Sequence, residues 1–213
     1  METNDDIKRQ HPFSRIGIFN KYTKKKMLKS HATIYSLIFS LILCIIIWIT
    51  GDSATYYNTL IKLTDVALSL FPNFLGFCIG GYALIIGASN IEVLKKMSKP
   101  LPNGSHLSFF QVLSSIFAAS LIIQCVTLFF AYILQILVNM QLDAVSNDIG
   151  VVTNLFLIFI LVFLTSMSIL LLYYTVINIF NFGQAVHLTI RIEDRDNQAI
   201  EEKAQNHDTE RNN

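Results

Sequence analysis

The chain has 213 residues, of which 53% are hydrophobic and only 15% charged, with a net charge of +1. Soluble domains carry about 25% charged residues, and here the 16 basic and 15 acidic side chains lie between long apolar blocks. That distribution excludes an ordinary soluble domain, a disordered chain and a secreted disulfide scaffold.

Residues 1–32 read as a basic tail on the cytoplasmic side. Eight positive side chains stand against Glu2, Asp5 and Asp6, and Lys24, Lys25, Lys26 and Lys29 lie just before the first apolar block. This cluster is expected to set the topology and to attract anionic lipid heads. The block begins too far into the chain for a cleavable signal peptide. No myristoylation or prenylation motif is present. Without an aromatic stacking platform beside the lysines, no direct nucleic-acid binding is expected.

A hydrocarbon core needs about 20 apolar residues as helix. Four segments qualify: residues 33–50, 66–88, 109–138 and 151–182, none of which contains Asp, Glu, Lys or Arg. They predict an all-α membrane protein with a four-helix transmembrane domain over 33–190. Fifteen of the sixteen basic residues fall in the two tails and the middle loop; only Lys62 lies on the other side. The positive-inside rule then places both termini in the cytoplasm, and an even number of spans agrees. The expected location is the cell inner membrane, multi-pass.

Between the first two spans, polar groups recur at Thr55, Asn58, Thr59, Lys62, Asp65 and Ser69, and apolar ones at Tyr56, Leu60, Leu63, Ala67 and Leu70. The period is helical, predicting an amphipathic helix on the outer surface that leads into span two. Pro72 follows; it lacks a donor and is expected to kink the helix near Leu68. Gly76, Gly80, Ala83 and Gly87, spaced four, three and four apart, then form a small-residue stripe. Such a stripe lets a second helix approach closely, either within one subunit or across an oligomer axis.

Pro100, Pro102 and Asn103-Gly104 end the second helix in a turn. Span three carries Gln124 and Gln135, eleven residues or about three turns apart, flanked by Ser120 and Thr127. This polar strip suits hydrogen bonding between helices or, in an oligomer, the lining of a pore. Residues 191–213 form an acidic cytoplasmic tail, expected to extend briefly as helix and then to be largely disordered.

Chemistry-bearing motifs are absent from this reading. Cys44, Cys78 and Cys125 stand alone in apolar blocks and read as packing residues. The five histidines show no metal-ligand spacing. No phosphate loop, nucleophile elbow or zinc-protease motif occurs. The expectation is a non-enzyme with no catalytic residues, no cofactor and no metal.

The four-span plan, the basic start and the segment Phe71-Pro72-Asn73-Phe74-Leu75-Gly76-Phe77-Cys78-Ile79-Gly80-Gly81-Tyr82-Ala83 resemble the membrane component of the Kiwa anti-phage defence system. The resemblance implies a homo-oligomer in the inner membrane that senses infection. It also implies a cytosolic, DNA-binding partner, KwaB. No functional residue is carried over. Two other readings remain open from the sequence: a channel or pore-forming effector that depolarises the membrane, and an accessory or transport subunit of an unrelated membrane complex.

Overall fold

The computed structural model describes residues 30–88, 94–95, 97–98, 108–140 and 147–211. The lysines expected to set the topology and the proline-rich turn lie outside the described residues.

Ser30 starts the first helix. Its hydroxyl accepts from the Thr33 amide at 3.3 Å, and α1 runs from His31 to Thr50. At about 1.5 Å per residue this is about 30 Å, the thickness of a hydrocarbon core. Gly51 ends it, donating its amide to the Ile47 carbonyl at 2.9 Å. The joint is built for glycine: an added Cβ would sit 2.6 Å from the Tyr56 ring and 2.8 Å from the Ile47 carbonyl oxygen. Asp52 then caps the next helix, accepting from the Thr55 amide at 2.8 Å and from the Thr55 hydroxyl. These bonds to the ionised form hold the Asp52 carboxyl below its usual range, the hydroxyl first and the amide second. The Tyr56 hydroxyl reaches back to the carbonyls of Gly51 at 2.9 Å and Trp48 at 3.1 Å, tying the two helices at this corner.

Helix α2 runs unbroken from Ser53 to Ala88, 36 residues. Segment 53–71, expected as an amphipathic helix ahead of span two, is the first half of this one helix. Pro72 sits inside it, so the Leu68 carbonyl lacks its usual donor while the helix continues on both sides. Helix α3 spans Phe109–Asn139 and opens with a capping box. The Gln111 amide donates to the Ser108 hydroxyl at 3.2 Å, and the Ser108 amide donates to Gln111 Oε1 at 2.9 Å. Helix α4 runs from Asn147 to Arg211. Residues 191–211, expected to extend briefly as helix and then to be largely disordered, belong to this helix. Residues 193–211 contain no Gly or Pro and are rich in Glu, Gln, Ala, Lys and Arg, all good helix formers, so helix propagates where apolar residues are scarce.

Helix α4 packs against all three others, α2 and α3 pack on each other, and α1 rests mainly on α4. One face of α1, Ala32, Ser36 and Ser40, is buried there, small side chains allowing close approach. Two apolar clusters form the core. The first gathers Phe71, Ala131, Leu134, Ile158 and Leu161 around Tyr56 and Leu60. The second gathers Ile85, Leu113, Phe117 and Phe182, with Met97 against them. Around this core, large apolar side chains point outward on every helix: Ile46 and Trp48 on α1, Leu84 on α2, Phe129 on α3 and Phe156 on α4. Among the described residues, all four helices are long and apolar enough to cross a membrane. An outward apolar shell of this extent is stable in lipid and not in water.

Candidate functional site

Between the two apolar clusters, three helices each contribute polar groups. Cys78 on α2, Ser120, Gln124 and Thr127 on α3, and Ser168 and Thr175 on α4 are all fully buried or nearly so. Gln124 donates from Nε2 to the Ser120 hydroxyl at 3.1 Å and to Cys78 Sγ at 3.4 Å. The hydroxyls of Thr127 and Ser168 meet at 3.1 Å, joining α3 to α4. Thr127 also reaches the Ile123 carbonyl at 2.7 Å, and Thr175 the Leu171 carbonyl at 2.9 Å. Most polar atoms are thus satisfied without water. The exception is Gln124 Oε1, buried without a partner, as is Gln135 Oε1 lower in the strip.

The polar strip of the sequence is therefore split. Gln124 is 0% exposed and faces the subunit interior, where it bridges α3 to α2. That location fits interhelical hydrogen bonding, and its side chain is not offered to an external lumen. Gln135 is half-buried.

The small-residue stripe has the opposite fate. Gly76, Gly80, Ala83 and Gly87 are exposed, and a Cβ built on any of the three glycines meets nothing within 4 Å. Among the described residues, no helix packs against this stripe. The glycine that does mediate close packing is Gly81, one position away. A Cβ there would stand 2.9 Å from Ile179 Cδ1 and 3.8 Å from the Phe117 ring. Tyr82 flanks it, its hydroxyl 3.2 Å from Ser114 and its ring 5.3 Å from that of Phe117. Sequence spacing alone favoured Gly80 because of its four-residue repeat. Gly81 carries no repeat and gave no signal. The buried face of α1, Ala32-x-x-x-Ser36-x-x-x-Ser40, carries the same four-residue spacing of small side chains.

Among the described residues, no three His, Cys, Asp or Glu gather as a metal site. Nor does the polar layer pair a nucleophile with a base: its members are hydroxyls, a thiol and an amide.

Fold and surface together define a helical, multi-pass membrane protein whose polar interior joins its own helices. No protein-family model, curated protein or solved structure matches this chain.

Proposed function

We propose that the chain is a membrane-embedded, homo-oligomeric sensor or scaffold subunit of a bacterial anti-phage defence system. In this reading it is not an enzyme. It sits in the inner membrane with both termini in the cytoplasm and acts through a cytosolic protein partner. The phage-defence role rests on the resemblance to the Kiwa membrane component, and the orientation rests on the distribution of basic residues. The observation that carries the scaffold reading is the bare stripe of Gly76, Gly80, Ala83 and Gly87, a close-packing motif that meets no partner among the described residues of its own subunit. The uninterrupted α4, continuing beyond its apolar portion to Arg211, supplies a surface on which a soluble partner can dock.

The test is a phage challenge of cells carrying the chain with its genomic neighbours, paired with the Gly80→Leu variant. The expected result is membrane insertion at wild-type level with loss of both the assembled species and protection. Protection that survives while assembly is lost overturns the scaffold role. Ion flux through purified protein in liposomes would move the reading to a pore-forming effector.

A further inference from the structure

The bare stripe is only half of a longer face. On the Thr50-side half of α2, Asn58, Lys62, Asp65, Ser69 and Asn73 are also exposed. At 100° per residue these five and the four small residues fall within about 80° of arc. They lie opposite the buried edge made by Leu60, Ala67, Phe71, Cys78 and Ile85. Large apolar side chains, among them Tyr57, Val66, Phe77 and Leu84, occupy the flanks.

The depth of the polar half can be placed by stepping along neighbouring helices from their cross-contacts. Tyr57 donates to the Val138 carbonyl, Thr127 meets Ser168, and Cys44 meets the Leu155 carbonyl. Equal rise along antiparallel helices puts Lys62 about level with Ile133 on α3 and Leu37 on α1, and Asp65 about level with Ile34. Ile133, Leu37 and Ile34 are exposed and apolar. Leu37 and Ile34 belong to a helix with no charged residue and just enough length to cross the hydrocarbon. Lys62 and Asp65 therefore sit at a depth where the rest of the subunit surface is made for lipid. A lysine or a carboxylate facing acyl chains there is disfavoured unless it is paired. Among the described residues, neither has an ion-pair partner in its own subunit.

We infer that the whole of this α2 face meets the same face of a second copy of the chain, and that Lys62 of one copy pairs with Asp65 of the next. This rests on the homo-oligomer reading above and deepens it. All copies enter the bilayer in the same sense, so α2 lies parallel to α2 with equal residues at equal depth. Lys62 and Asp65 are then offset by about 4.5 Å along the axis, within the reach of a lysine stem. The face is self-complementary in charge. Its small-residue half permits backbone contact, and its polar half supplies hydrogen bonds that lipid cannot. Both halves thus gain from one partner.

Two experiments test the pairing in native membranes. The first compares Lys62→Asp, Asp65→Lys and the double exchange. Each single change places like charges together and is expected to reduce the assembled fraction about tenfold, and the exchange to restore it to within about twofold. The second places one cysteine at Ser69 or at Ile46 in a chain carrying Cys44→Ala, Cys78→Ser and Cys125→Ala. Oxidative cross-linking between copies is expected at Ser69 and not at Ile46, which lies on the lipid side of α1. Cross-linking at Ile46 alone, or exchange without rescue in a chain that still assembles, overturns the α2 face while leaving the oligomer intact. An unsubstituted chain that is monomeric in the membrane overturns the homo-oligomer reading itself.

Discussion

Gly80 and Gly81 are adjacent, identical and inside the same helix, yet their surroundings predict opposite responses to one added methyl group. At Gly80 the methyl enters open space. Only the backbone term remains, and Gly80→Ala is expected to stabilise the isolated subunit by about 0.4–1 kcal/mol. At Gly81 the same gain meets Ile179 Cδ1 at 2.9 Å. That atom is the end of a flexible side chain, so the neighbour yields, but only by moving within the α2–α4 contact. Overpacking of this kind costs about 1–3 kcal/mol, so Gly81→Ala should be net destabilising by about 1 kcal/mol. Ile179→Val removes the clashing atom and leaves Ile179 Cγ1, 3.9 Å away and in ordinary contact. Gly81→Ala in that background should recover most of the loss, with a coupling energy of about 1 kcal/mol in a double-mutant cycle. The assay is unfolding in mixed micelles at rising SDS fraction, followed by helix content and by the fluorescence of Trp48, the single tryptophan. A coupling below about 0.3 kcal/mol would refute the close α2–α4 approach at Gly81.

Further outcomes follow from the same geometry. Gln124→Leu removes a buried amide whose Oε1 lacks a partner and is expected to leave stability within about 1 kcal/mol, measured by the same unfolding curve; a loss above twice that would make the amide a required bridge. Tyr56→Phe deletes the hydroxyl that holds the Trp48 and Gly51 carbonyls and should cost about 1 kcal/mol, with a shift in Trp48 emission as α1 loosens. The Asp52 carboxyl is held below its unfolded value by Thr55, so its contribution is complete above the ordinary carboxylate range and is lost as pH falls through the lowered folded value. Unfolding midpoints between about pH 6 and pH 3 should therefore fall more steeply in the parent than in Asp52→Asn, which keeps the cap without the charge. Parallel curves would count against the cap.

The spans were legible because solvation by lipid is a one-dimensional constraint: an uncharged apolar run of sufficient length has few alternatives. Helix α1 ends at Thr50 and α3 starts at Phe109, whereas α2 starts at Ser53, well before its uncharged run, because backbone hydrogen bonds propagate past Lys62 and Asp65 regardless of what one face carries. The helical period over 53–71 and the small-residue stripe were both visible. Their continuity across Pro72 depends on the helix staying in phase, which a proline left open. The partners of Gln124 were hidden for a different reason. Ser120 is four residues away and belongs to the same turn, but Cys78 is 46 residues distant, and which helix stands opposite is a property of packing. Gly81 was obscured in the same way, since contact with Ile179 depends on the rotation of α2 against α4.

Helix α4 gives the molecule a mechanical property that none of its individual contacts expresses. From Asn147 to Arg211 it is one rod of 65 residues, about 98 Å long at 1.5 Å per residue. Its apolar stretch runs to Ile192, leaving about 28 Å of helix beyond it. A 10° tilt of the embedded part swings the tip through about 5 Å, roughly one helical pitch. A small change of tilt within the lipid would thereby reappear, magnified, at a distance from it.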